Sequence, residues 1–348
     1  MPLYLVPPVP ASLPACAQAT AGVACRCCPG GISRSTRGRV YPSDMSDAEW
    51  AVIEPLLPAP GWTLGRGGSP GLYCRRDIVN AIRYLTHNGP VWRAMPADLP
   101  HWRTVYHYVR TWQETGATRR MHDQLREAVR VLAGRGPQPT AAIIDSQSVK
   151  AADTVGKDSR GYDAGKKIEG RKRHLAVDVM GLILCVVVTA ASVQDRDGAR
   201  PLLWQLAAGF RAVTLIWADG GYAGKLVIWA AGTLHRTLQI VKRPDNLHTF
   251  QVLPRRWVVE RTFGWIMKHR RCVRDYERLP QHHETYLYWA MIHVMAARVA
   301  RRQSPAPPAR SRRQHRPRPR QREPCCKPHE VLKQALRHSR WACGRSRA

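Results

Sequence analysis

The chain has 348 residues, with 55 Lys+Arg against 25 Asp+Glu, a formal charge of +30. Such an excess repels basic surfaces and attracts polyanions, nucleic acid first among them. The longest apolar run, LILCVVVTAA at 182–191, is too short to span a bilayer.

The charge is carried throughout the chain: +4 over residues 1–40, +14 over 41–301 and +12 over 302–348. Residues 1–40 are rich in Pro, Ala and Cys and contain no acidic residue. Their Pro-broken start lacks a charged n-region, so no signal peptide is expected. Both 1–40 and 301–348, the latter repeating Arg and Pro, lack apolar periodicity and read as a disordered extension and a disordered basic tail. Seven of the ten cysteines fall in these ends. They lack the two C-x-x-C pairs of a zinc site, and Cys74, Cys185 and Cys272 read as small buried hydrophobes. A reducing, intracellular compartment without a disulfide framework is expected.

The first organised region is 41–130. Ser46 and Glu49 form a capping box at a helix start, with Trp50, Ile53 and Leu57 on one face. RRDIVNAIRYLTHNG predicts a second helix stopped by Gly89. HWRTVYHYVRTWQETG predicts a third, with an apolar stripe of Trp102, Val105, Val109 and Trp112. Its other face carries Arg103, His107 and Arg110, which suits a helix-turn-helix-like DNA-binding domain. A plain helical bundle with a solvated face is the alternative.

Residues 139–300 alternate strands and helices. TAAIIDSQSV (140–149), RKRHLAVDVMG (171–181) and LILCVVVTAAS (182–192) read as strands, the last two an antiparallel pair. A helix (195–210), a strand (212–221), another helix, a strand TLQIVKRP and a final helix follow. A three-strand meander followed by helix–strand alternation is the pattern of a ribonuclease-H-like α/β fold, with a mixed five-stranded sheet and flanking helices. Asp145 lies near the end of the first strand and Asp219 at the end of the fourth, and that fold makes the two strands neighbours.

RWVVERTFGWI (256–266) reads as a buried helix that nevertheless carries Glu260. A carboxylate in an apolar run needs a partner. Arg256 or Arg261 could supply it, or a metal ion shared with Asp145 and Asp219. Three converging carboxylates repel unless neutralised, and oxygen ligands suit magnesium or manganese. Two such ions about 3.5–4 Å apart activate water and stabilise the leaving oxygen of a phosphodiester.

The segments IIDSQSVKAAD, RGYDAGKKIEGRKRHLAVDVMGLILCVVV, SVQDRDGARPLL, IWADGGYAG and RRWVVERTFGWIMKHRRC, in that order, resemble bacterial insertion-sequence transposases of the DDE class, in particular the insertion sequence 5 family. The likeness covers about residues 41–300, and YPSDMSDAEWAVIEPLLP belongs to it. The resemblance implies a catalytic, metal-binding triad of Asp145, Asp219 and Glu260, spaced by 74 and 41 residues, with two Mg2+ or Mn2+ ions. It implies double-stranded DNA as substrate, both end repeats and target, and cleavage followed by strand transfer. It also implies an oligomer on DNA in the bacterial cytoplasm, associated with the nucleoid. Of the signature around the glutamate, Arg256 matches, while Leu253 and Met267 stand where Tyr and Lys occur; Lys268 is adjacent.

Lys166, Lys167, Arg171, Lys172 and Arg173 read as a phosphate track beside the acidic site, joined by Lys150, Arg256 and Lys268. Asp178 sits mid-strand and could face the site or turn away. Asp195 and Asp197 read as helix caps, and Asp163 as part of a Gly- and Lys-rich loop. The other classes compatible with these features are a structure-selective nuclease of the same fold and a helix-turn-helix regulator without catalysis.

Overall fold

The computed structural model describes residues 38–60, 64, 73–241 and 257–303. The ends read as unstructured lie outside it but for residues 38–40 and 301–303. The helical region comprises α1 (Asp47–Ile53), α2 (Arg75–Asn88), α3 (Trp102–Glu114) and α4 (Ala117–Leu132). The predicted capping box is formed: Ser46 Oγ accepts from the Glu49 amide and Glu49 accepts from the Ser46 amide. Gly89 ends α2 in the left-handed conformation (φ 65°), the stop expected of glycine. The α2–α3 link runs from 89 to 101, longer than the three or four residues of a compact helix-turn-helix turn.

The remainder contains β1 (Ala141–Lys150), β2 (Gly161–Asp163), β3 (Ile168–Val177), β4 (Ile183–Ala190), α5 (Asp195–Gly209), β5 (Leu215–Ala218), α6 (Lys225–Leu234), β6 (Thr237–Ile240), α7 (Trp257–Met267) and α8 (Pro280–Gln303). The sheet runs β2-β3-β1-β5-β6, with β4 also pairing β3. β1, β3 and β4 are antiparallel, while β5 and β6 run parallel to β1. This is the ribonuclease-H-like arrangement, with the short β2 as a sixth strand.

Two cores flank the sheet. Ala142, Ile144, Ala176 and Ile216 pack against α5 and α6. Ile143, Leu175, Val177 and Trp217 pack on the opposite face with α7, α8 and the four N-terminal helices. The helical region therefore shares a core with the sheet. Two arginines of α4 reinforce that joint: Arg119 donates to the Tyr288 hydroxyl (2.5 Å) and the Leu184 carbonyl, and Arg130 pairs with buried Asp178. Asp178 also accepts from the Met180 and Leu182 amides, so it closes the β3–β4 turn.

Gly198 sits in the first turns of α5 because the helix lies directly on the imidazole of His174; a Cβ there would fall 2.2 Å from the ring. His174 is fully buried and cannot swing away. We expect Gly198→Ala to cost about 1–3 kcal/mol by overpacking. Thermal unfolding should show a smaller penalty in a His174→Ala background; equal penalties would mean that this contact is not the constraint.

Candidate active site

In β1, side chains alternate between the two faces. Ile144 lies in the α5–α6 core, and the Ser146 hydroxyl donates to Asp195 Oδ1 of α5 at 2.7 Å. Ile143 lies in the opposite core, and Gln147 accepts from Arg173, whose guanidinium lies 5.8 Å from the Phe263 ring of α7. Asp145, between Ile143 and Gln147 in the same phase, therefore faces the α7 side. It is half-buried and accepts from the Ser146 amide at 2.7 Å.

β1 continues to Lys150, so Asp145 is mid-strand rather than near a strand end. Its parallel neighbour is what ends. Ala141, Ala142 and Ile143 pair with Leu215, Ile216 and Trp217, and β5 stops at Ala218. Two residues further along each strand, Asp145 stands level with Asp219. Asp219 keeps an extended backbone (φ −80°, ψ 179°), so it follows Trp217 onto the α7 face. Its Oδ1 accepts from the Gly221 amide at 2.9 Å, which anchors the turn through Tyr222.

Glu260 lies in the first turn of α7, where the helix dipole favours a carboxylate. The expectation of a buried helix is corrected here. Val258, Val259, Thr262, Phe263 and Ile266 form the buried face, whereas Trp257, Glu260 and Gly264 are exposed. α7 packs against β1 and β3. Thr262 and Arg261 donate to the Gly181 and Met180 carbonyls at 2.8 and 2.9 Å, and Arg261 stacks against Trp257 and Trp265.

Two nearby groups, Asp195 and Tyr222, were not anticipated in these roles. Asp195 opens α5 without acting as its cap, since Gln194 holds that position. It receives Ser146 and Lys172 Nζ (3.0 Å), and burial, which opposes its charge, is outweighed by those two donors, leaving its carboxyl below the ordinary range. Tyr222 is buried, and its hydroxyl is held well above the usual phenol range by burial and then by the charges of Asp145, Asp195 and Asp219. Tyr222 thus lies near all three aspartates, of which Asp195 is paired with Lys172. The legible signal was Tyr222 directly after Asp219-Gly-Gly.

The basic track divides. Lys150, Lys166, Lys167 and Lys268 are exposed, as are Arg103, His107 and Arg110 on α3. Arg171, Lys172 and Arg173 are buried, which removes them from the track. Arg171 pairs with buried Asp275 at 2.9 Å and donates to the Glu277 and Arg278 carbonyls. Lys172 reaches the Val193 carbonyl and Asp195, and Arg173 reaches Gln147 and the Cys272 carbonyl. Asp163, assigned to a loop, ends β2 and accepts from Ser148 at 2.6 Å. Arg256 lies outside the described residues.

Residues 136–295 match the family model described as Transposase DDE domain, and residues 45–122 match the model for transposases of the IS4/5 family. The chain belongs to the DDE transposases, in an IS4/5-like family. The uncharacterized 16.2 kDa protein of insertion element IS402 from Burkholderia cepacia is 31% identical over 111 residues, 31% of this chain and 73% of that protein. No solved structure matches the transposase. Among its described residues, no helix is long and apolar enough to cross a membrane.

Removing one partner of a buried ion pair costs about 3–5 kcal/mol. Arg171→Leu should destabilise the transposase on that scale in thermal unfolding. A Lys166→Ala, Lys167→Ala double variant should stay within about 0.5 kcal/mol per site, yet flatten the salt dependence of duplex binding. An Arg171→Leu protein of unchanged stability but weakened DNA binding would return Arg171 to the phosphate track.

Proposed function

We propose that Asp145, Asp219 and Glu260 form one metal-holding triad, and that the protein binds transposon end repeats, cuts there and joins the freed 3′-hydroxyl to target DNA. What supports this is the β1–β5 register, which runs Asp145 and Asp219 out level at the same end of two neighbouring chain segments, with α7 packed against β1. The family's use of divalent metal suits this donor set, oxygen ligands from carboxylates on β1, just past β5 and in the first turn of α7. Bound Mg2+ or Mn2+, two ions in the proposed site, supplies activation of water and stabilisation of the leaving oxygen.

The chain itself supplies position and charge. β1 fixes Asp145, the turn that follows β5 fixes Asp219, and the Gly221 amide orients the latter. Lys172, neutralising Asp195 on the other face, keeps that second carboxylate engaged away from the triad. Exposed Lys150, Lys166, Lys167 and Lys268 attract phosphates toward the acidic centre. Arg103, His107 and Arg110 present donors from α3 to the end repeat, and handling two DNA ends calls for more than one copy of the chain.

Glu260→Gln, assayed with Mn2+, should lower cleavage and strand transfer by about 100-fold or more while leaving Tm and end binding in place. Asp145→Asn and Asp219→Asn should do the same, and combining them should add little. Near wild-type cleavage by Glu260→Gln would take Glu260 out of the triad.

Base contacts are worth about 1–3 kcal/mol each. Replacing Arg103 and Arg110 with Ala should therefore lower the preference for the cognate repeat over random duplex about tenfold or more. An unchanged preference would move end recognition off α3.

A further inference from the structure

Away from the carboxylates, three histidines converge. His87 lies in the last turn of α2, His269 just after α7, and His293 in α8. One ring nitrogen of each lies within 4.8 Å of the others. Ring centroids are 5.1 Å apart for His269 and His293, 5.7 Å for His87 and His269, and 5.9 Å for His87 and His293. His269 is only 4% exposed; the other two are half-buried.

Packing alone explains this group poorly. Nδ1 of His269 and Nδ1 of His293 are buried without a hydrogen-bond partner. Each such nitrogen costs about 1–3 kcal/mol, which an apolar ring in its place would avoid. Metal coordination is an interaction that can use several clustered imidazole nitrogens at once.

We propose that His87, His269 and His293 bind a divalent transition-metal ion of the zinc class, at a site separate from the carboxylates. Three imidazoles favour zinc over magnesium, and a water molecule can complete the tetrahedron. Tetrahedral Zn–N bonds of about 2.0–2.1 Å place ligand nitrogens about 3.3 Å apart. The trio thus closes by about 1.5 Å at most, a movement available to the half-buried rings of His87 and His293.

The protonation state suits coordination. Burial, then the charges of His87 and Arg83, pushes His269 down to about 4. Burial likewise pushes His293 down to about 2, and burial with Arg270 and Arg83 lowers His87. Burial thus disfavours the charged form of each ring, which suits ligation by neutral imidazole. Of the two cations that act on these rings, Arg83 is paired with Glu49 at 3.0 Å and Arg270 is exposed to solvent.

The site would reinforce a joint that is already close. A Cβ on Gly89, at the end of α2, would lie 3.0 Å from the Arg271 amide nitrogen, and Arg271 donates to the Pro90 carbonyl at 3.0 Å. Glu260 lies nine residues before His269 on the same helix-and-turn unit. A metal here would therefore brace the helix that bears Glu260 against both α2 and α8.

The test uses the full chain, stripped with chelator, with accessible thiols alkylated so that terminal cysteines do not compete. Zinc alone is added in the presence of excess Mg2+, which occupies carboxylate sites. Wild type and Asp145→Asn, Asp219→Asn should each take up one tight equivalent and gain thermal stability. His87→Gln, His293→Gln should lose that equivalent and that gain, with its metal-free Tm little changed. Equal uptake and equal stabilisation in the histidine variant, or no tight uptake by wild type, would overturn the site. X-ray absorption of zinc-loaded wild type decides the matter even if the variant fails to fold: an imidazole-rich nitrogen shell supports the site, and a sulfur or carboxylate shell overturns it.

Discussion

Three residue pairs between β1 and β5, Ala141 with Leu215, Ala142 with Ile216 and Ile143 with Trp217, are the constraint on which the candidate site depends. Strand side chains alternate, so a slip of one residue would send Asp219 to the α5–α6 side while Asp145 stayed where it is. The register is held by burial on both faces: Ile216 in one core, Ile143 and Trp217 in the other. Because both faces are apolar, a slip would exchange two differently shaped sets of side chains at once. The acidic pair thus inherits its alignment from the hydrophobic packing of its immediate neighbours.

The second organising feature is the division of positive charge between interior and surface. The chain carries a formal charge of +30, yet several of its arginines work inside. Arg171 and Arg173 tie β3 to the segment following α7 through Asp275 and the Cys272 carbonyl, while Arg119 and Arg130 tie α4 to the sheet and α8. These internal pairs make the helical region and the sheet share one core. If α3 reads DNA ends as proposed, the recognition helix and the carboxylates are then mechanically connected rather than joined by a loose linker.

What was legible in the sequence was local. The Ser46–Glu49 capping box, the Gly89 stop and the alternation of strands and helices depend on neighbours in the chain, and the structure has them. So was the pairing of the strands bearing Asp145 and Asp219, because the order of elements specifies it. What was not legible depended on distant partners. Nothing near Arg171 announces that Asp275 will bury it, so a run of basic residues reads the same whether its phosphates or its carboxylates come later. Glu260 misled in the opposite direction: an apolar run looked buried all round, but helical geometry leaves Trp257, Glu260 and Gly264 on an open edge. The three histidines come from α2, the end of α7 and α8, and only the fold brings them together.

If Asp145, Asp219 and Glu260 surround a common metal position, the backbone beside all three is open to cleavage from that position. Replacing the metal with Fe2+ and adding peroxide and ascorbate generates hydroxyl radicals there, which cut the backbone nearby. Cuts are expected beside residues 145, 219 and 260 that excess Mg2+ suppresses together, distinct from any at 87, 269 and 293. Mg2+-sensitive cuts beside 145 and 219 without one beside 260, or centred instead on Asp195 and Asp163, would contradict the common position.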